Sequence, residues 1–439
     1  MSWILAEGSR LQVEGLRQPL QILRPLGGGT QGQVYAVRLG EEELALKWYL
    51  PACIARDREL GQRLLQAIRL GAPNGDFLWP LALVRPSREA EGLVRLREPG
   101  FGYLMPLRPA GFVGAHEHAA GQLQIGLAEV LRAAFFLADG FHQLHLKGLC
   151  YKDISLGNLF LNPSDGGISI CDNDNVDVDG RDLGSVLGTP GFMAPEVLLG
   201  QAKPGTTSDL FSLAVLIFRL LTRHDPFKGQ MELAIRCLDE PARRRLYAEE
   251  PLFIFDPADP RNRPHPQEHS AALITWPIYP TGLQALFEQT FGLGLRQPQR
   301  RVLTGQWTQA LSRCLDGRLL CASCGQENFH GAQCWSCGVP LPAPARLHTA
   351  KGVVLASAGN RLYRHHVDVL APEDLHQPLA AVVAHPEDPT VLGLRNLSGS
   401  PWRAALLDGR SLEVEPGKSC NVAALHSLHT VVGSVQLHR

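Results

Sequence analysis

The sequence has no marked excess of charge of either sign. Its 439 residues include 42 Lys and Arg against 43 Asp and Glu, which gives a formal net charge of −1. Proteins that attract nucleic acid or anionic membranes electrostatically present a basic surface. We therefore expect neither a nucleic acid nor a membrane among the partners of this chain.

Long apolar runs and an export signal are also missing. The most apolar segment, LFSLAVLIFRLL at residues 210–221, is too short to span a bilayer and contains Arg219, so it predicts a buried core helix. The first residues, MSWILAEGSRLQVEG, lack the basic start and apolar run of a signal peptide. We expect a cytoplasmic protein. In that setting the ten Cys, four of them clustered at residues 321–337, favour metal binding over disulfides.

The apolar residues that are present follow two patterns. Residues 1–107 contain short strand-like runs and one helical pattern at 57–70, whereas residues 108–315 are mainly helical in pattern. A cysteine module occupies 316–338 and a stiff Pro-rich linker 339–346. Residues 347–439 show short β-type runs separated by turn signals. We predict an α+β protein that ends in a small all-β domain, a sandwich or barrel that binds other proteins.

A glycine-rich turn opens an ordered series of motifs. GGGTQGQV at residues 27–34 fits G-x-G-x-x-G-x-V, in which glycines let backbone N–H groups approach phosphates. Lys47 follows on a predicted strand. Further on, YKDISLGN places Asp153 five residues before Asn158, and the apolar run ISICD ends at Asp172. An ordinary turn accounts for the glycines alone, but the whole series is far more specific.

In this order the motifs resemble those of the protein-kinase family, of the Hanks or eukaryotic-like type, over roughly residues 15–315. GTPGFMAPE at 188–196 is similar to the end of an activation segment, and SDLFSL at 208–213 to the start of the buried helix that anchors the catalytic loop. The resemblance also implies that Arg301 is the Arg that pairs with Glu196, the last residue of GTPGFMAPE. The resemblance implies a bilobal fold, with a β-rich N-lobe at 1–107 and an α-helical C-lobe at 108–315.

The resemblance also implies an activity, that of an ATP-dependent serine/threonine protein kinase that requires Mg²⁺ or Mn²⁺. Asp153 would accept the proton of the substrate hydroxyl, Lys47 would hold the α- and β-phosphates, and Asp172 and Asn158 would bind the metal ions. Thr189 would bond Asp153, which favours Ser/Thr substrates. The implied ATP-binding residues are Gly27, Gly28, Gly29, Thr30, Gln31, Gly32, Val34, Ala45, Lys47, Met105, Pro106 and Leu107, with Met105 just before the hinge.

Several positions depart from the family pattern. Residues 151–153 read YKD in place of His-Arg-Asp, residues 172–174 read DND in place of Asp-Phe-Gly, and Ser155 replaces a Lys that contacts the γ-phosphate. Because the four residues that would touch phosphate, substrate and metal remain, we predict an active kinase. The alternative is a nucleotide-binding pseudokinase scaffold that presents the C-terminal modules to partner proteins.

These departures carry expectations of their own. A buried amide without partners costs about 1–3 kcal/mol, so Asn173 should be hydrogen-bonded. Lys152 keeps the charge of the usual Arg without its bidentate fork, so control by a phosphorylated activation loop should be weak or absent. Asp174 adds a carboxylate near the metal and is expected to raise metal affinity.

The acidic partner of Lys47 is hard to place. Glu59 is the only Glu on the helix predicted at 57–70, and we predict it as the catalytic ion-pair partner of Lys47. If the position of the partner is instead counted back from FLWPL at 77–81, it falls on Gln66. A third possibility is that Glu59 lies on the surface, in contact with solvent, and does not pair with Lys47.

The cysteine cluster has the spacing C-x2-C-x9-C-x2-C, with Cys321, Cys324, Cys334 and Cys337. Two such knuckles can bring four thiolates to one tetrahedral Zn²⁺, and a glycine after each pair permits the tight turn. We predict a zinc ribbon in which structural Zn²⁺ supplies much of the folding energy.

The order of kinase, zinc ribbon and β domain is similar to that of bacterial kinases grouped in a phosphorylation triad. ALKWYLP at 45–51 and FLWPL add to the similarity. The triad implies a bacterial signalling kinase with a protein substrate, a von Willebrand factor A protein and a metal-dependent phosphatase as partners.

Overall fold

The computed structural model describes residues 3–13, 17–85, 100–180 and 187–438. In these ranges the chain forms an N-terminal sheet, a helical lobe, a small cysteine hairpin and two C-terminal sheets. None of the helices in the described ranges is long and apolar enough to cross a membrane.

The N-terminal lobe is one antiparallel sheet of six strands in the order β1-β2-β3-β4-β6-β5. The strands are β1 (Arg10–Leu11), β2 (Leu20–Gly28), β3 (Gly32–Leu39), β4 (Glu42–Tyr49), β5 (Ala82–Val84) and β6 (Gly102–Pro106). Successive side chains of a strand point to opposite faces. Leu46 and Trp48 of β4 therefore join the core on one face, and Ala45 and Tyr49 join a second cluster on the other. Lys47 shares the second face.

Two helices follow β4, namely α1 (Pro51–Arg56) and α2 (Leu60–Leu70). α2 buries Leu60, Leu64 and Ala67. The helix begins three residues later than the sequence pattern predicts. The carboxylate of Asp57 accepts the backbone N–H of Glu59 and pairs with Arg63, which holds residues 57–59 outside the helix.

The helical lobe is built around one buried helix. Its elements are β7 (Val113–Gly114), α3 (Ala115–Ala119), α4 (Leu127–Leu146), β8 (Leu149–Cys150), β9 (Leu159–Leu161), β10 (Ile168–Ile170), β11 (Asp177–Val178), α5 (Pro195–Leu198), α6 (Thr206–Thr222), α7 (Gln230–Leu233), α8 (Glu240–Arg244), α9 (Ser270–Thr275), α10 (Thr281–Phe291), α11 (Leu293–Arg296) and α12 (Thr304–Asp316). α6 contains the apolar run at 210–221 and is buried along most of its length, which confirms the predicted core helix.

A buried ion pair ties the start of α5 to the last part of this lobe. Arg301 donates two hydrogen bonds to the carboxylate of Glu196, at 2.7 and 2.8 Å. The Arg301 side chain is fully buried and also donates to the backbone oxygens of Thr207 and Gly294. The sequence prediction that Arg301 pairs with Glu196 is confirmed.

The C-terminal residues form a hairpin and two antiparallel sheets. The strands and helix are β12 (Leu319–Leu320), β13 (Glu327–Asn328), β14 (Arg346–His348), β15 (Val353–Leu355), β16 (Arg361–Tyr363), α13 (Arg364–Val367), β17 (Pro378–Ala384), β18 (Leu392–Asn396), β19 (Trp402–Leu406), β20 (Ser411–Val414), β21 (Ser419–Asn421), β22 (Leu425–His429) and β23 (Ser434–His438). One sheet runs β15-β14-β23-β22-β19-β20 and the other β16-β17-β18-β21, and both contribute to one apolar core.

These sheets pack directly on the helical lobe. His366 lies 3.2 Å from the carboxylate of Asp316 at the end of α12. Tyr363 and Leu375 belong to the hydrophobic core of the helical lobe. Arg318 donates to the backbone oxygen of Ala358, which joins the hairpin to the sheets. The C-terminal part is therefore held in a fixed position by buried contacts.

We expect Arg301→Ala to lower the free energy of unfolding by about 3–5 kcal/mol, because it leaves the Glu196 carboxylate without its buried partner. Denaturant unfolding measures the change. Arg244→Ala is the matched control, since Arg244 pairs with Glu249 at the surface, and should cost about 1 kcal/mol or less. Equal losses for the two variants would contradict this assignment.

Candidate active site and metal centre

The glycine-rich segment forms the open end of a hairpin. Gly27 and Gly28 end β2 opposite Val34 and Gln33 of β3, and the turn closes where Gly29 donates its N–H to the oxygen of Gly32 at 2.9 Å. A Cβ atom on Gly32 would lie 2.5 Å from the Trp48 oxygen, so the close approach of β4 requires glycine there. Exposed Gly29 and Thr30 form the tip, where the backbone is open to a ligand.

Lys47 lies beneath this hairpin in a buried cluster of charge. Its ammonium is 2.8 Å from the carboxylate of Asp174, 3.1 Å from that of Asp172 and 3.4 Å from the side-chain oxygen of Gln31. The Tyr49 hydroxyl donates to the same oxygen of Asp174. Burial lowers the pKa of Lys47, but the two carboxylates outweigh burial and raise it. Lys47 also holds the pKa of Asp174 below its usual range despite burial.

The prediction that Glu59 pairs with Lys47 is wrong. Glu59 is exposed at the N-terminal end of α2 and not within the helix. Gln66, the alternative, is half-buried beside Arg63 and Asp177. The partner comes instead from Asp174, because the loop after β10 brings its carboxylate under β4.

The loop that carries Asp153 is fixed by its own hydrogen bonds. Thr189 donates its hydroxyl to one carboxylate oxygen of Asp153 at 2.6 Å. The amide nitrogen of Asn158 donates to the backbone oxygen of Asp153 at 2.9 Å. Asn158 precedes β9 and Cys171 follows β10, and Cys171 donates its N–H to the Asn158 oxygen at 3.0 Å. Asp153, Asn158 and Asp172 are therefore gathered at one end of the β9–β10 hairpin.

The same loop is anchored to the buried helix. Asp209 near the start of α6 accepts the backbone N–H groups of Tyr151 and Lys152 at 2.7 and 3.0 Å. Tyr151 is buried and donates its hydroxyl to the Cys171 oxygen. The tyrosine thus fills the hydrophobic interior and contacts the residue that precedes Asp172, so replacing the usual His keeps a ring and a hydrogen bond there.

Asp172 and Asn173 take up different environments. Asp172 has a left-handed backbone, with φ of 54°, and its side chain is 39% exposed toward the cleft. Asn173 is fully buried and its amide donates to the backbone oxygens of Leu78 and Ile170, at 2.9 and 3.0 Å. The expectation of a hydrogen-bonded Asn173 is confirmed. These bonds tie the triplet to the segment that enters β5.

The strand beside the cleft provides an apolar surface. Ala45 of β4 lies opposite Met105 of β6, and both are buried. Val34 and Leu107 are partly buried and pack against the same cluster, and Pro106 ends β6. These residues form a surface of the kind that a flat aromatic ring can cover.

Lys152 is held in a buried ion pair with β11. Its ammonium is 3.0 Å from the carboxylate of Asp177 in β11, and the two side chains are 7% and 2% exposed. This buried pair neutralises Lys152 within the chain. Because its ammonium is used in this pair, Lys152 does not take the place of the family lysine whose position Ser155 occupies here.

The four clustered cysteines converge. The sulfurs of Cys321, Cys324, Cys334 and Cys337 all lie within 4.8 Å of one another. Gly325 and Gly338 each have φ of 72° and donate a backbone N–H to the oxygen of the first Cys of the pair, so the two knuckles are alike. The backbone N–H groups of Cys337 and Ser336 lower the pKa of Cys334 to about 6. Four thiolates in this arrangement suit a tetrahedral Zn²⁺.

The geometry agrees with comparisons to known proteins. A family model described as a protein kinase domain matches residues 117–269. This stretch of the chain is thus similar to protein kinase domains. A serine/threonine-protein kinase of Myxococcus xanthus is 30% identical over 238 residues, 48% of this chain and 25% of that protein. A CBL-interacting protein kinase of Oryza sativa subsp. japonica is 28% identical over 258 residues, 56% of this chain and 52% of that protein.

A third relative is similar over a shorter stretch of the chain. The protein kinase C delta type of Mus musculus is 37% identical over 114 residues, 24% of this chain and 16% of that protein. The chain thus spans between about one sixth and one half of the length of these relatives. The similarity to protein kinases therefore extends over part of this chain and part of each relative.

Sequence reasoning missed Tyr49 and Asp177 and did not name Asp174 as a partner of Lys47. Tyr49 lies two residues after Lys47, so the period of a strand could have placed it on the same face. Asp174 was expected near the metal but contacts Lys47 and Tyr49. Asp177 stands in the acidic run DNDNVDVD, where spacing alone gives no means of choosing one carboxylate.

We expect the purified protein to contain about one Zn²⁺ per chain, as one tetrahedral four-thiolate site requires. Cys334→Ser should remove the metal and lower the melting temperature, because the cysteine hairpin depends on the metal for its folding energy. Elemental analysis and thermal denaturation measure both effects. Cys237→Ser, at an exposed cysteine outside the cluster, should change neither. Full metal content in Cys334→Ser would exclude the site.

Proposed function

We propose that this chain is a protein serine/threonine kinase that transfers the γ-phosphate of ATP to a hydroxyl of a protein substrate. The observation that carries the proposal is the gathering of Asp153, Asn158 and Asp172 at one end of the β9–β10 hairpin, with Lys47 within 3.1 Å of Asp172. The similarity to serine/threonine kinases supports the same class of reaction.

The donor atoms in the cleft suit a hard divalent cation. Asp172 offers a partly exposed carboxylate. The nitrogen of the Asn158 amide is used by the Asp153 oxygen, which leaves the amide oxygen as a ligand. Mg²⁺ and Mn²⁺ prefer such oxygen ligands. Bound there with ATP, the ion would supply positive charge against the negative charge of the phosphates.

The residues of the chain then have separate tasks. The open hairpin at residues 27–34 would cover the phosphates, and Lys47 would pair with the α- and β-phosphates. Ala45, Met105, Pro106 and Leu107 would contact the adenine. Such a site works by positioning and charge neutralisation, because phosphoryl transfer needs little covalent help from protein.

Asp153 would orient and deprotonate the substrate. The substrate hydroxyl oxygen attacks the γ-phosphorus while the bond from that phosphorus to the bridging oxygen breaks, ADP leaves, and the hydroxyl proton passes to Asp153. One carboxylate oxygen of Asp153 accepts from Thr189 at 2.6 Å. The other, which the Asn158 amide nitrogen approaches at 3.5 Å, keeps a lone pair for the proton of the substrate hydroxyl. A Thr in this position supports Ser or Thr as the acceptor.

We further propose roles for the C-terminal part. The cysteine hairpin would be a zinc ribbon whose metal is structural, and the two C-terminal sheets would be a protein-binding domain. A bacterial signalling role with a von Willebrand factor A protein and a metal-dependent phosphatase as partners rests on the order of the modules in the sequence. Co-purification of the full chain with each candidate partner tests it.

We expect wild-type protein to transfer labelled γ-phosphate from Mg·ATP to itself or to a generic Ser/Thr substrate. Asp153→Ala should lower the rate about 10²–10⁴-fold, the usual contribution of a general base. Glu59→Gln is the control, because Glu59 is exposed and should not affect transfer. No transfer by wild type, together with stabilisation by Mg·ATP, would refute the kinase and favour the pseudokinase scaffold.

We expect transfer to need no phosphate on the activation segment, because Asp177 already neutralises Lys152 inside the chain. Protein treated with a phosphatase, then freed of it, should transfer phosphate without a lag. Asp177→Asn should slow transfer, since it leaves the Lys152 ammonium buried without its partner. A lag that disappears after preincubation with ATP would show that phosphorylation activates the site.

A further inference from the structure

We infer that Asp174 is a positioning residue that holds Lys47 in place for the phosphates of ATP. This inference rests on the proposed function and adds to it the source of the counter-charge. In the family pattern the third position of the triplet at 172–174 is glycine, and the counter-charge comes from a helix. Here the counter-charge comes from the triplet itself.

Contact and burial both point to Asp174. Its carboxylate is the nearer of the two that Lys47 contacts, at 2.8 Å against 3.1 Å for Asp172. The side chains of Lys47 and Asp174 are 5% and 1% exposed, so water does not compensate either charge. Asp172 is partly exposed and is the residue proposed to bind metal. Lys47 therefore needs a second carboxylate, one that is not a metal ligand.

Helix α2 cannot supply that carboxylate. Its sequence, LGQRLLQAIRL, contains no Asp or Glu, and the Glu59 that precedes it is exposed. The buried charge on the helix is Arg63, which pairs with Asp57 at 3.0 Å. The one buried charged side chain of this helix in the described residues is therefore basic, and it pairs with Asp57.

Asp174 is itself held from two sides. Tyr49, two residues after Lys47 on the same face of β4, donates its hydroxyl to the carboxylate oxygen that Lys47 contacts. The neighbouring Asn173 fixes the loop through the backbone oxygens of Leu78 and Ile170. The position of the Lys47 ammonium is therefore set by β4 and the loop after β10. A movement of α2 would not break the ion pair of Lys47 with Asp174.

A double-mutant cycle tests whether Asp174 acts through Lys47. The variants are Asp174→Asn, Lys47→Met and the double variant, with kcat for phosphate transfer and the Kd of Mg·ATP by calorimetry as readouts. Asp174→Asn should lower kcat about 10- to 100-fold, as loss of a supporting partner commonly does. In the Lys47→Met background the same change should have no further effect, because the residue it positions is gone. Losses that multiply would overturn the inference.

A second variant keeps the test decisive if Asp174→Asn folds poorly. Tyr49→Phe removes one hydrogen bond to the Asp174 carboxylate without leaving a buried charge unpaired. It should lower kcat about tenfold, in keeping with a hydrogen bond to a charged group, and should have no effect in the Lys47→Met background. Asp174→Glu, which keeps a carboxylate, should retain more activity than Asp174→Asn. An Asp174→Glu variant no better than Asp174→Asn, or an active Tyr49→Phe, would count against the inference.

Failure of the proposed function and failure of this inference give different results. If wild type transfers no phosphate, the kinase proposal fails, and the calorimetric cycle still reports whether Asp174 and Lys47 act together on Mg·ATP. If wild type is active and the effects of Asp174→Asn and Lys47→Met multiply, only the positioning role fails. Glu59→Gln should match wild type in both readouts.

Discussion

The ammonium of Lys47 is the charge on which the rest of the site depends. It lies on a strand inside the protein, where burial disfavours a charge that has no partner. Asp174 and Asp172 offset that cost and bring the loop after β10 up against β4. The contact joins the N-terminal sheet to the loop after β10, so these charges fix the position of Lys47 relative to Asp172.

Below that contact the loop of Asp153 rests on the buried helix α6. Asp209 accepts two backbone N–H groups of the loop, and the apolar length of α6 fixes Asp209 in the interior. The ion pair of Arg301 with Glu196 holds the start of α5 to the same helix through the oxygen of Thr207. The residues proposed for catalysis thus lie on loops, and a rigid core determines where the loops run.

Two buried contacts hold the segment that follows β10. The ammonium of Lys152 forms an ion pair with Asp177. The triplet at 172–174 is held by the hydrogen bond of Asn173 to the Leu78 oxygen, where the family pattern has a packed Phe. In both contacts the partner is a buried group of the same chain. The C-terminal sheets, packed on α12 through His366 and Tyr363, extend this rigid assembly. The loop after β10 and the C-terminal sheets are thus both held by buried contacts within the chain.

The sequence alone determined the features that depend on local spacing. The glycine turn, Lys47, the Asp153–Asn158 pair, Asp172 and the four cysteines could be named because each motif is short and its chemistry depends on residue type. The buried helix at 210–221 and the Arg301–Glu196 pair were also within reach. Only the tertiary structure decided the counter-ion of Lys47, since Asp174 lies 127 residues away and Glu59 had the better local pattern. A long-range ion pair between a strand and a loop leaves no periodicity in the sequence, because the contact depends on how the two lobes pack.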